Sequence, residues 1–104
     1  MLFMLEIESR LPPDMPEPQR NSLLSREHAR STELIEQGML LRIWRIVGRV
    51  ANFSVWQAES LEKLHETLAS LPLFPYMTID VTPMIDHPMT AAVEAVHGPT
   101  GRRA

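Results

Sequence analysis

The segment MLLRIWRIVGRVANFSVWQ, residues 39–57, decides the fold of this chain. Both of its halves are rich in Leu, Ile, Val, Phe and Trp, and Gly48 lies between them at a position suited to a bend. We therefore expect two strands, at residues 39–49 and 51–57, joined so closely that they form an antiparallel hairpin. Alternation assigns the faces: Arg42 with Trp44, Arg45 with Ile43, and Asn52 with Ser54 and Trp56.

Strand-like and helix-like patterns alternate on both sides of this hairpin. Prolines, a glycine and a capping serine set the limits, which are Pro12, Pro13 and Pro16 after the first strand, Gly38 after the first helix, Ser60 before the second helix and Pro83 at the last strand. The expected strands are residues 2–11, 39–49, 51–57 and 77–82, and the expected helices are 16–38, 60–70 and 90–96.

The order of these elements predicts an α+β domain of the ferredoxin-like class, βαββαβ. Two helices then cover one face of a four-stranded antiparallel sheet. The other face, which we expect to carry Trp44, Trp56 and Ile46 or their alternating counterparts, is too apolar to face water. We expect a second subunit to cover it in a dimeric α+β barrel type assembly. The single domain is placed at residues 1–90, and residues 91–104 are a C-terminal extension, a short helix and then a tail.

Composition narrows the functions open to the chain. It has 104 residues, a formal net charge of -3 and no cysteine, so thiolate chemistry, disulfides and thiolate metal sites are excluded. The mild acidity favours neither nucleic acid nor an anionic membrane as partner. The N-terminus lacks a basic leader and no apolar run reaches the length of a membrane helix, so we expect a cytoplasmic protein that oligomerises.

The most informative single residue is Glu27, in the first predicted helix. At about 100° per residue, its direction falls inside an apolar arc of about 120°, near Ser31 and Arg20. The apolar residues of that arc are Leu23, Leu24, Leu34 and Ile35. Loss of hydration there raises a carboxyl pKa toward the range of a general base. The alternative, an ion pair with Arg20, Arg30 or a sheet arginine, is equally compatible with the pattern.

Distinctive motifs give the chain a resemblance to a known family. They are MLF at 1–3, LPPDM at 11–15, Glu27, LRIWRIVG at 41–48, ANFSVW at 51–56, LHETL at 64–68, LPLFPYM at 71–77 and HP at 87–88. Together they resemble the muconolactone Δ-isomerase family without obvious gaps from residue 1 to about residue 88. The combination of WRI-G with LPLFPYM is the most specific part of the match.

The resemblance implies a cofactor-free, metal-free isomerase of catechol catabolism in the β-ketoadipate pathway. It would convert (+)-muconolactone to the β-ketoadipate enol-lactone by moving a proton from C4 to C2. It also implies dimers of ferredoxin-like subunits that assemble into a decameric ring. The sequence has no histidine spacing suited to a metal and no glycine-rich loop of the kind that binds phosphate, which agrees with this expectation.

For such a reaction we expect Glu27 to be the base, because it falls inside an aligned helix. The candidate donors to the enolate oxygen are Tyr76, Ser54 and Asn52. The candidates for binding the substrate carboxylate are Arg45, Arg42, His28 and His65, and Trp44 is a candidate wall of the pocket. Each has a structural alternative: a salt bridge at a subunit contact for the arginines, core packing for the tryptophan, and a buried or half-buried polar group for Tyr76 and His65.

Two positions depart from the pattern of the family. Leu24 stands where lysine is usual and Met4 where histidine is usual. A leucine cannot bind an anion or lower the pKa of Glu27, so a methyl- or chloro-substituted lactone remains open as substrate. The alternatives are therefore a methylmuconolactone isomerase, a chloromuconolactone dehalogenase, a cofactor-independent oxygenase, or a non-catalytic dimeric α+β domain that binds a small acid.

Overall fold

The computed structural model describes residues 1–99, and its elements follow the predicted order. The strands are β1 (Leu2–Ser9), β2 (Leu40–Arg45), β3 (Ala51–Gln57) and β4 (Met77–Met84), and the helices are α1 (Glu17–Glu36), α2 (Leu61–Ala69) and α3 (Thr90–His97). A single turn of 3-10 helix, Phe74–Tyr76, leads into β4. The predicted tail lies mostly outside the described residues.

The four strands form one sheet in the order β2-β3-β1-β4, and every neighbouring pair is antiparallel. The predicted four-stranded antiparallel sheet is thus confirmed, and three helices accompany it. In the centre of the sheet Leu5 lies opposite Ser54 on one side and Val81 on the other. This register makes Phe3, Leu5 and Ile7 share one face with Ser54 and Trp56.

The hydrophobic core lies between that face and the first two helices. Phe3 and Leu5 are fully buried and pack in one cluster with Leu34 of α1 and with Leu64 and Leu68 of α2. Complete burial of one such side chain contributes about 1.5–3 kcal/mol. The cluster therefore fixes both helices on the same side of the sheet, which we call the helix face.

Gly38 ends α1 and Ser60 begins α2, as predicted. At the end of α1, the N–H of Met39 donates to the carbonyl of Leu34 at 3.0 Å and that of Gly38 to Ile35 at 3.1 Å, the Schellman pattern. Gly38 has φ +74° there, a conformation that favours glycine. Ser60 accepts a hydrogen bond from the N–H of Lys63 at 3.1 Å and caps α2.

Four details of the sequence prediction are corrected. Trp56 does not share the outer face with Trp44, because its register with Phe3 places it in the core. Pro83 does not end β4, which continues to Met84; β4 is an edge strand, where the missing N–H of proline is tolerated. The first strand ends at Ser9 rather than near residue 11. The second ends at Arg45, before the turn at Gly48.

The face opposite the helix face, here called the outer face, remains apolar over part of its area. Leu2, Met4, Trp44 and Val55 line a cavity of about 470 Å³ that α3 and the segment before it complete. The side chain of Phe53, on the same face, is 43% exposed. Within residues 1–99, no helix has both the length and the hydropathy needed to cross a membrane.

Candidate active site

A cavity of about 1000 Å³ opens on the helix side of the sheet, and we call it the helix-side cavity. It is walled by residues 9–13, by one stripe of α1, by the β2–β3 hairpin and by the connector before β4. The stripe consists of Arg20, Leu24, Glu27 and Ser31, which the helical period places on one side of α1. Leu24 is 46% exposed, so it belongs to the cavity wall rather than to the core.

Glu27 lies at the centre of this stripe and is half-buried. Its Oε1 atom accepts a hydrogen bond from the backbone N–H of Leu73 at 2.9 Å. Burial raises the pKa of Glu27 above its ordinary value, and the hydrogen bond from Leu73 offsets part of that rise because it favours the charged form. The expected loss of hydration is therefore confirmed, although only Leu23 and Leu34 of the predicted apolar arc are buried.

Neither of the two α1 arginines named as alternative partners contacts Glu27. Arg30 forms an ion pair with Glu33 at 3.3 Å, and Arg20 donates to the carbonyl of Pro12 at 3.2 Å. Within the part of the chain that the structure describes, Glu27 has no salt-bridge partner. A half-buried carboxylate without a counter-charge, on a cavity wall, is chemically suited to accept a proton.

The sheet contributes the opposite wall of the cavity. Ile43 and Arg45 of β2 line it together with Asn52 of β3, and Arg45 lies directly opposite Asn52 in the ladder. The register shift between Leu40 and Arg42 turns the side chain of Arg42 to the outer face. Arg45, three residues later, therefore points to the helix side by the alternation of the strand. The Oδ1 atom of Asn52 is buried and has no hydrogen-bond partner among residues 1–99.

Four of the nine predicted site residues thus meet in the helix-side cavity: Glu27, His28, Arg45 and Asn52. The two hydroxyl donors do not line it. Ser54 is fully buried, where its Oγ accepts a hydrogen bond from the indole N–H of Trp56 at 2.8 Å. Tyr76 is half-buried, and its backbone carbonyl accepts a hydrogen bond from the N–H of Arg10 at 2.9 Å.

The other three predicted residues also lie outside this cavity. The guanidinium carbon of Arg42 is 5.3 Å from the ring centroid of Trp44 on the outer face, a cation–π contact. Trp44 lines the outer-face cavity. His65 is exposed on α2, where its ring meets that of Phe74 edge-on at 5.9 Å between centroids.

The sequence prediction did not include several residues of the cavity wall among the binding residues. Arg20 and Ser31 were expected near Glu27, and their helical spacing was the signal for them. Arg10 was not singled out; it follows β1, and its backbone N–H donates to the carbonyl of Tyr76. Within residues 1–99, no group of three or more His, Asp or Glu side chains is placed to hold a metal ion.

Fold and site together define a class of protein: a small α+β domain whose cavity carries a half-buried carboxylate together with cationic and amide groups. The chain belongs to the muconolactone Δ-isomerase family, whose profile matches residues 1–90. The muconolactone Δ-isomerase of Acinetobacter baylyi is 46% identical over 88 residues, 85% of this chain and 92% of the relative. That of Cupriavidus pinatubonensis is 41% identical over 88 residues, 85% of this chain and 96% of the relative.

Solved structures agree with this assignment. The crystal structure of a muconolactone isomerase superposes with a TM-score of 0.80 at 41% identity, covering 85% of this chain and 92% of that one. A 5-chloro-2-hydroxyhydroquinone dehydrochlorinase from Burkholderia phenoliruptrix gives a TM-score of 0.57 at 16% identity, covering 84% and 96%. The second similarity shows a shared fold alone. The resemblance read from the motifs is therefore confirmed.

Proposed function

We propose that this chain is an isomerase that converts (+)-muconolactone to the β-ketoadipate enol-lactone in catechol catabolism. The observation that carries the proposal is the half-buried Glu27, which has a raised pKa and lies on the wall of the helix-side cavity. Membership of the muconolactone Δ-isomerase family supports the choice of substrate. The position of the carboxylate supports the choice of reaction, since the isomerisation is a proton transfer between two carbons of one allylic system.

In the proposed reaction the ionised Glu27 removes the proton from C4 of the lactone ring. The electron pair of that C–H bond passes into the ring, and the negative charge spreads as a dienolate onto the carbonyl oxygen. The Glu27 carboxyl group then returns the proton to C2, which moves the double bond and regenerates the carboxylate. One group serves as base and then as acid, so the reaction consumes no other reactant.

The sheet wall supplies the groups that this charge movement needs. Asn52 is our candidate donor to the dienolate oxygen, since an amide held at a developing negative charge stabilises it. Arg45, opposite Asn52, is our candidate for binding the substrate carboxylate from the sheet side. His28 is a further candidate at the same cavity. We leave Ser54 and Tyr76 out of the proposed mechanism because neither lines the cavity.

The proposal includes an assembly of dimers into a decameric ring. The ring itself rests on the family resemblance, and the outer face supports contact between subunits, because Phe53 is 43% exposed there and Val93 of α3 is 50% exposed. Covering such surface with a second subunit removes it from water. Light scattering after gel filtration measures the mass directly. A monomeric mass at micromolar concentration would contradict this part of the proposal.

The direct test of activity is to incubate the purified protein with muconolactone and follow the ultraviolet absorbance of the lactone. We expect turnover without added metal or cofactor, and the same rate after exposure to a chelator. Absence of turnover would contradict the proposed function. A cytoplasmic location is also part of the proposal, and fractionation of the producing cell tests it.

One observation favours a second candidate function. Leu24 presents an apolar side chain to the cavity three residues before Glu27, where a methyl group or a chlorine atom on the ring would find an apolar contact. The same proton abstraction followed by loss of chloride gives a chloromuconolactone dehalogenase. A panel of plain, methylated and chlorinated lactones, with chloride release measured beside absorbance, separates these activities.

A further inference from the structure

We propose that Arg20 is a second substrate-binding residue, which makes the helix-side cavity selective for lactones that carry a free carboxylate. It would bind that carboxylate from the α1 side, while Arg45 approaches from the sheet. This inference rests on the proposed function for the identity of the lactone and for nothing else. Arg20 is a new member of the site, since the sequence pattern marked it only as a neighbour or ion-pair partner of Glu27.

The position of Arg20 is held by the fold. It lies on the same stripe of α1 as Glu27, seven residues earlier, which is about 10 Å along the helix axis. The residue is half-buried, and its Nη2 atom donates to the carbonyl of Pro12 at 3.2 Å. That bond uses one of the five N–H groups of the guanidinium and orients the remainder, so little conformational freedom is lost when an anion binds.

The charges around the cavity also favour an anionic ligand. Among residues 1–99, three arginines line it, Arg10, Arg20 and Arg45, against the one carboxylate of Glu27. Arg10 has a partner, since its Nε lies 3.6 Å from Glu8. Neither Arg20 nor Arg45 has a carboxylate within salt-bridge distance among residues 1–99. Two unpaired guanidinium groups against one ionised carboxylate leave one positive charge, which a monoanionic lactone neutralises.

Under this proposal Arg20 acts in substrate binding and takes no part in the proton transfer. A residue that holds the carboxylate acts equally on the substrate and on the transition state, so its loss raises KM and leaves kcat nearly unchanged. Replacing Arg20 with Met should raise KM for muconolactone about 10- to 100-fold, the range of a hydrogen bond to a charged group. The neutral methyl ester of the lactone should react equally well with the wild type and this variant.

The matched control is Arg26→Met, which removes the same charge from an exposed position of the same helix outside the cavity. It should leave KM within about twofold of the wild type. Arg20→Gln keeps a donor for the Pro12 carbonyl without the charge, so it should bind the substrate as weakly as a folded Arg20→Met variant. If Arg20→Met does not fold, Arg20→Gln takes its place in the test. Circular dichroism establishes which of the two is folded.

A binding measurement makes the test independent of turnover. Calorimetry with the saturated lactone acid, (5-oxooxolan-2-yl)acetate, should show weakened binding for both Arg20 variants and wild-type binding for Arg26→Met. If the wild type fails to turn over muconolactone, the proposed function fails while this measurement still tests Arg20. Equal affinity of the Arg20→Gln and Arg26→Met variants for this acid, or an equal loss for acid and ester substrates, would overturn the proposal.

Discussion

The backbone N–H of Leu73 donates a hydrogen bond of 2.9 Å to Oε1 of Glu27. This bond joins the connector before β4 to the middle of α1, across 46 positions of the sequence. It fixes one oxygen of the carboxylate, while the other accepts no hydrogen bond from residues 1–99. A carboxylate held in this way would need little reorganisation to act as the proposed base, which is the usual benefit of a preorganised site.

The pH dependence of turnover should follow the ionisation of Glu27. The pKa of this group is raised above 4.5 because it is partly withdrawn from water. A base must be deprotonated to act, so kcat/KM should fall as the pH falls through that raised pKa and not at the value of an exposed glutamate. A rate profile measured from pH 4 to pH 8 tests this. An acid limb at or below the ordinary glutamate value would contradict it.

A positive charge introduced beside the base should move that acid limb. In Leu24→Lys, an ammonium group is introduced three residues before Glu27, on the same wall of the cavity. An opposite charge at such a distance favours the ionised carboxylate and lowers its pKa, so the acid limb should shift to lower pH. Leu24→Met, which keeps the apolar character, is the control and should leave the limb in place. An unchanged limb in the lysine variant would show that the two side chains do not interact.

Ser54 should matter for stability more than for rate. Its Oγ is the acceptor for the buried indole N–H of Trp56 at 2.8 Å. Ser54→Ala leaves that donor without a partner, and we expect a loss of about 1–3 kcal/mol in the free energy of unfolding. Urea denaturation measures it, with Ser25→Ala on the exposed side of α1 as control. A folded variant of unchanged stability but greatly reduced kcat would instead place Ser54 in the chemistry.

The architecture was largely predictable because its signals are local. Alternation in β1 places Phe3, Leu5 and Ile7 on one face, and all three are buried. The ends of the helices were predictable because Gly38 and Ser60 act on atoms within a few residues of themselves. Pro83 was misjudged because its effect depends on whether β4 is an edge strand, and that is a property of the sheet order rather than of the segment.

The site was only partly predictable, for the same physical reason. The direction of Glu27 follows from the helical period, so its partial burial could be expected. Ser54 and Tyr76 belong to the same motifs as residues that line the cavity, yet membership of a motif does not specify where a side chain points. The contact between Glu27 and the N–H of Leu73 joins two distant segments, and no local pattern contains it.

The most direct test of the account is the turnover of muconolactone by Glu27→Gln. The amide keeps an oxygen that can accept the hydrogen bond from Leu73 but cannot take up a proton, so the fold and assembly should be retained. We predict that kcat falls by about 10²- to 10⁴-fold, the contribution of a positioned general base, while Glu36→Gln on the exposed end of the same helix keeps wild-type activity. A Glu27→Gln protein that retains most of the wild-type turnover would contradict the assignment of the base, and with it the mechanism.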